Sequence, residues 1–309
     1  MDRRHFLLAA APAPLLSAAK AKLDRSRFSV MTDEVGRNLD EGIAFAKQYR
    51  LSAVELRMAG RKMYDELSPP ELKETAQKLK DAGLRCSFLN AAMLKFTAPG
   101  TTAVKWEDFY ENMYKDRGLT PDKMYAGRMD HLKRVLEAAQ ILGAPAVRTF
   151  TYWRVAEPRT VFPRLRDNLL EMADAAKKAK VQILVENEFA CNMASSAETA
   201  ELVGMLKSSA IGINWDPQNS VSYEGGTVFP RGYGLLPAKR IANVQIKWEG
   251  LVAPGKPHLP WGDIMRRMNE GGYTGYFGLE THTLKGPDIN IPASHECLKE
   301  MLKLVGDAA

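Results

Sequence analysis

The chain has 309 residues, 45% of them hydrophobic and 26% charged, with a formal net charge of +6; these are ordinary globular values, and the length suits one α/β barrel of ~250 residues with additions. No apolar run approaches the ~20 residues of a spanning helix, and Lys and Arg alternate with Asp and Glu along residues 71–81 and 164–180, the pattern of solvated helix faces and not of a nucleic-acid surface. The 3 cysteines, Cys86, Cys191 and Cys297, lie far apart without a CxxC pair, which argues against a disulfide framework.

In chain order, residues 1–21 read as a targeting segment. Arg3 and Arg4 precede Phe6-Leu7-Leu8, an Ala/Pro/Leu stretch follows, and Ala19-Lys20-Ala21 supplies a small-x-small exit. This is the pattern of an export signal of twin-arginine type. The expected mature chain is residues 22–309, a single catalytic domain, periplasmic or secreted and free of the membrane once the signal is removed.

Residues 27–34 read as the first strand and 39–49 as a helix. Residues 52–57 form the second strand, where Glu55 interrupts the apolar run and is either an inward-facing polar residue or half of an ion pair with Arg57. Ser68-Pro69-Pro70-Glu71 supplies an N-cap, helix-start prolines and the acid of a capping box for a helix that stops at Gly83. Residues 84–90 are the third strand, ending on Asn90. Residues 91–120 then break the rhythm with Trp106, Phe109, Tyr110 and Tyr114, which points to an ordered lid or wall over a site, or to a contact in a homo-oligomer. A helix over 121–142, strand 146–150 and helix 159–179 restore the alternation. Strand 183–188, helix 196–207, strand 211–216, a turn-rich connection, strand 241–248, helix 261–270, strand 276–281 and helix 290–305 complete it.

Sustained β-α alternation calls for a parallel sheet with helices outside, and 8 such units close into a (β/α)8 TIM barrel, an α/β fold with its active site at the C-terminal ends of the strands. No GxGxxG or GxxxxGK[ST] follows the first strand, so a nucleotide-binding sheet lacks its usual support. Glu186, Asp216, Gln245 and Glu280 sit at the tips of consecutive strands, 30, 29 and 35 residues apart. Three carboxylates and an amide oxygen gathered at one mouth would repel one another without a cation between them. Such an oxygen-rich set favours one divalent ion, Mn or Mg first, with Co or Zn as alternatives.

Val54-Glu55-Leu56, Leu184-Val185-Glu186-Asn187, Asn214-Trp215-Asp216-Pro217-Gln218-Asn219, Val244-Gln245-Ile246-Lys247 and the segment from Gly272 to Glu280 resemble the sugar phosphate isomerase/epimerase superfamily, over about residues 28–305. These are xylose isomerase-like TIM barrels that include tagatose and psicose 3-epimerases, inosose dehydratase and endonuclease IV. The resemblance implies that Glu186, Asp216, Gln245 and Glu280 hold the metal and that Glu186 and Glu280 double as acid and base. It departs from the pattern where a family His-x-Lys-Asp becomes Gln245-Ile246-Lys247-Trp248.

The chemistry so implied is proton abstraction next to a sugar carbonyl through an enediolate, giving isomerisation or epimerisation. A leaving group β to the carbonyl would turn the same site into a keto-sugar lyase or dehydratase, and loss of the metal would leave a non-catalytic carbohydrate-binding barrel. Asn90, Arg148, Lys247 and His258 are the candidates for holding a sugar or keto-sugar substrate, with His282 on the same strand face as Glu280. An endonuclease IV-like activity needs more histidines than His258, His282 and His295 supply.

Overall fold

The computed structural model describes residues 22–307, so the export-signal expectation for residues 1–21 lies outside the described residues. Eight parallel strands form one sheet: β1 (Phe28–Val30), β2 (Ala53–Leu56), β3 (Arg85–Met93), β4 (Ala146–Thr149), β5 (Gln182–Glu186), β6 (Ile211–Trp215), β7 (Ile241–Ile246) and β8 (Tyr276–Leu279). Neighbours in sequence are neighbours in space, and β8 returns to pair with β1 through Phe28↔Phe277, Ser29↔Gly278 and Val30↔Leu279. Only a single parallel bridge, Met31↔Glu55, joins β1 to β2, so the barrel is nearly closed. This is the expected (β/α)8 TIM barrel.

The strands are short and apolar because both their faces are covered, the inner by the barrel interior and the outer by helices. Val30, Leu56, Val147, Ile183, Ile213, Ile246 and Leu279 are all fully buried. Helix starts follow the sequence signals. Ser68 and Glu71 form a capping box for Pro69–Asp81, and Ser195 and Glu198 form another for Ser196–Met205.

Three expected boundaries shift for local reasons. The first strand stops at Val30, and Thr32–Val35 turns into a short helix that swings Asp33 and Glu34 over the mouth. Residues 121–142 divide at Gly127 into Pro121–Ala126 and Arg128–Leu142. The connection after β6 holds two further helices, Pro217–Glu224 and Arg231–Leu235.

Residues 91–120 are an ordered wall. β3 runs on to Met93, Ala103–Lys105 pairs antiparallel with Arg154–Val155, and Asp108–Asp116 is helical. Buried Lys95 anchors this wall to the barrel: its Nζ lies 3.0 Å from Glu107 and 3.5 Å from Glu188, and 4.4 Å and 4.1 Å from the ring centres of Tyr110 and Phe150. Trp106 and Phe109 remain exposed on its outer side.

Candidate functional site

The inside of the barrel is polar at two levels. The deeper one centres on Glu55 of β2, fully buried, which accepts hydrogen bonds from Ser29 Oγ (2.9 Å), Asn90 Nδ2 (2.9 Å), Gln245 Nε2 (2.8 Å) and Asn243 Nδ2 (3.2 Å). Burial pushes the Glu55 pKa up, and these four neutral donors pull it back. Gly278 makes the room, since a Cβ there would overlap Glu55 Oε1. Of the two readings the sequence left for Glu55, the structure selects the inward-facing one.

At the C-terminal ends of β5, β6 and β8, Glu186, Asp216 and Glu280 bring one carboxylate oxygen each to within 4.8 Å of one another, all buried. Each has a counter-cation from this chain. Arg148 Nη1 is 3.2 Å from Glu186 Oε2, Arg57 Nη1 is 3.1 Å from Glu280 Oε1, and Lys247 Nζ is 2.9 Å from Asp216 Oδ2. Arg57 also donates to Asp33 Oδ2 (2.7 Å) and Glu34 Oε1 (2.5 Å), so it ties the short helix after β1 to the tip of β8. Glu34 in turn accepts the His282 backbone N–H (2.9 Å), with His282 held at a left-handed φ of 53°.

The two levels are linked. Asn243 Nδ2 donates to Glu55 and, at 3.0 Å, to Asn214 Oδ1, and Asn214 Nδ2 donates to Glu186 Oε2 at 2.6 Å. Pinning Asn243 on Glu55 thus fixes which way the Asn214 amide faces, with its donor side on Glu186.

Positive charge does not fully balance the tip cluster. Burial pushes the Glu186 pKa up to about 8; Arg148 opposes this, while Glu280, Glu188 and Asp216 add to it. Burial also works against ionised Glu280, but Lys247, His282, Arg148 and Arg57 hold its pKa down at about 2. Glu280 Oε2 is buried with no hydrogen-bond partner among the described residues. A buried, unpaired carboxylate oxygen beside two other carboxylates fits a hard divalent ion, so the donor set present suits a metal.

The expected residues divide by level. Glu186, Asp216 and Glu280 come together. Gln245 is set back: its Nε2 is committed to Glu55, while its Oε1 is buried without a partner among the described residues. Asn90 also belongs to the Glu55 level. Arg148 is packed inside, donating to Ala91 O (3.2 Å) as well as to Glu186. Lys247 faces Asp216 and Asn219. His258 is exposed, bonds Ala253 O at 2.9 Å and lines a surface hollow with Leu251, Trp261 and Glu300, apart from the acidic cluster.

Sequence reasoning missed Asp33, Glu34, Glu188, Asn214 and Asn243, and gave Arg57 no role at the mouth. Two-residue alternation would have found Asn214 and Asn243, which precede Asp216 and Gln245 by one inward step. Glu34 carried no such signal, because its position depends on a helical turn that interrupts the strand.

A family model described as xylose isomerase-like TIM barrel matches residues 43–301. By sequence the chain matches none of the curated proteins. Among solved structures it resembles the IolI protein with a bound zinc atom (TM-score 0.64, 15% identity, 92% of this chain and 99% of that one). It also resembles a D-allulose 3-epimerase from Methylomonas sp. in complex with D-allulose (TM-score 0.63, 13% identity, 94% and 97%). A third is the 3-keto-D-glucoside 4-epimerase YcjR from E. coli in its apo form (TM-score 0.63, 10% identity, 88% and 98%). With the family model spanning most of the barrel and the strand order agreeing with it, the chain belongs to the xylose isomerase-like TIM barrel family.

Proposed function

We propose that this protein is a sugar isomerase or epimerase that moves a proton at the carbon next to a carbonyl. The observation that carries the reading is the convergence of Glu186, Asp216 and Glu280 at the barrel mouth, one carboxylate oxygen of each within 4.8 Å of the others; without metal, burial pushes the Glu186 pKa up while Lys247, His282, Arg148 and Arg57 hold that of Glu280 down. Groups whose surroundings drive their pKa values apart are suited to acid and base roles. At neutral pH the Glu280 carboxylate takes the proton from the carbon next to the carbonyl, leaving an enediolate. The Glu186 carboxylic acid donates its proton to the opposite face of the same carbon for epimerisation, or to the former carbonyl carbon for isomerisation, in which case the neighbouring hydroxyl proton passes to the former carbonyl oxygen. The two glutamates then hold exchanged protonation states, which proton transfer with solvent resets.

Arg57 and Arg148 hold Glu280 as the carboxylate that begins the cycle, and the Glu55–Asn243–Asn214 relay keeps Glu186 Oε2 in place. A divalent ion, Mn or Mg by the hardness of the oxygen donors, would be held by Glu186, Asp216 and Glu280, with Gln245 Oε1 as the fourth donor, and would act as a Lewis acid toward the carbonyl. Export through residues 1–21 forms part of the proposal and favours an unphosphorylated sugar or keto-sugar outside the cytoplasm; the structural resemblance to allulose and keto-glucoside epimerases supports that substrate class.

The test is a panel of ketoses and 3-keto-glycosides incubated with the chain from residue 22 and Mn, analysed by NMR. Conversion of at least one to its epimer or isomer supports the reading. Formation of an unsaturated product assigns the site to elimination, and recovery of every compound unchanged points to a barrel that only binds carbohydrate.

A further inference from the structure

We propose that Lys247 is a built-in competitor for the metal: its ammonium occupies the one Asp216 oxygen that could serve as a ligand, so that this side chain sets how tightly the acidic cluster binds a divalent ion. The inference rests on the metal reading of the cluster given above.

The three carboxylates are not equally available. Both hydrogen bonds to Glu186, from Arg148 and Asn214, fall on Oε2. Both arginine contacts to Glu280, from Arg57 and Arg148, fall on Oε1, and Oε2 has no hydrogen bond. Each glutamate therefore keeps its other oxygen clear of side-chain donors. Asp216 does not. Its Oδ1 caps the following helix by accepting the Asn219 backbone N–H at 3.0 Å, and the Lys247 ammonium lies 2.9 Å from Oδ2.

The geometry also says how Lys247 can leave. Its contact with Asp216 Oδ2 is the less directed of its two, falling outside hydrogen-bond alignment at 2.9 Å. The directed bond from Nζ goes to Asn219 Oδ1 at 2.8 Å. Asn219 is itself fixed, donating from Nδ2 to Asn187 O at 3.0 Å and toward Glu188 Oε2 at 3.5 Å. An ammonium anchored on Asn219 can give up Asp216 without losing its hydrogen bond or its acidic surroundings. Because Lys247 is only 8% exposed, little water screens it from an incoming dication, and the two compete directly for Asp216.

The test is calorimetric titration of chelator-stripped protein with Mn²⁺ and with Mg²⁺, for wild type, Lys247→Met and Lys247→Arg. Removing a charge-assisted contact from a ligand atom should raise the affinity of Lys247→Met roughly ten- to a hundredfold. Lys247→Arg keeps the charge and should stay within a few-fold of wild type. Thermal melts give a second readout: Lys247→Met should melt below wild type without metal and recover the difference on adding Mn²⁺. If the methionine variant does not fold, Lys247→Gln, which retains a donor for Asn219, takes its place with the same expected direction. Wild-type binding with no gain in either neutral variant overturns the inference alone. Absence of binding in every protein overturns the metal reading and the inference with it.

Discussion

The barrel holds buried carboxylates at two levels, Glu55 inside and Glu186, Asp216 and Glu280 at the strand tips, and they are stabilised in opposite ways. Glu55 sits among neutral donors and has each of its oxygens bonded twice: Ser29 and Asn243 on Oε1, Asn90 and Gln245 on Oε2. At the tips, Glu186, Asp216 and Glu280 are opposed by Arg148, Lys247 and Arg57, yet Glu280 Oε2 is left unpaired and Glu186 is pushed toward protonation. Full satisfaction of Glu55 by fixed dipoles makes it a structural element, because its removal would leave those donors stranded. Incomplete satisfaction by charges makes a site, because a proton, an ion or a substrate can still improve it.

If that contrast is right, substitutions at the two levels should fail in different assays. The largest effect is expected at the tips: Glu280→Gln and Glu186→Gln should each lower turnover by about 10²–10⁴-fold while leaving the fold intact, measured by steady-state kinetics beside circular dichroism. Either variant retaining near-wild-type turnover would break the comparison. At the deeper level Glu55→Ala should cost on the order of 3–5 kcal/mol in denaturant unfolding, since it strands buried donors at about 1–3 kcal/mol each. Gly278→Ala pushes a methyl group into Glu55 and should cost about 1–3 kcal/mol, as overpacking does.

A smaller effect separates two of the tip carboxylates by pH. Glu186 has a folded pKa raised to about 8, above its unfolded value, so the folded state binds more protons than the unfolded one between about pH 5 and 8. Stability of the metal-free protein from this group is therefore present at low pH and declines as pH rises through that window. Glu280 works in the opposite sense, but its folded pKa of about 2 places its change below the window, between about pH 2 and 5. Urea unfolding of chelator-treated protein from pH 5 to 8 should show the decline, and Glu186→Gln should flatten it. A slope that persists in Glu186→Gln would assign the titration to another residue.

The strand-tip carboxylates were legible in the sequence because regular spacing along β-α units converts directly into convergence at one end of a parallel barrel. The tally of eight strands was legible for the same reason. What local pattern could not convey was which side chains share a partner. Gln245 reads as a fourth tip residue, but Glu55, 190 residues earlier in the chain, takes its Nε2 and leaves only Oε1 for an ion. Arg57 reads as a neighbour for Glu55 and instead reaches Asp33, Glu34 and Glu280, because it lies one inward step beyond Glu55, just past the end of β2 and beside the short helix after β1. Arg148 and Lys247 read as candidates for holding a substrate, and local pattern could not show that, being buried, they also pair with the acids of the site.

The central claim is that Glu186 and Glu280 exchange a substrate proton, and the most direct measurement is deuterium wash-in. Ketoses and 3-keto-glycosides are incubated in heavy water with Mn-loaded protein lacking residues 1–21, and label at the carbon next to the carbonyl is followed by NMR in wild type, Glu186→Gln and Glu280→Gln. The account predicts label at that carbon in wild type, with incorporation lost in Glu280→Gln and strongly reduced in Glu186→Gln. Incorporation at the wild-type rate in both variants, or substrate turnover by wild type with no label entering at that carbon, would contradict it.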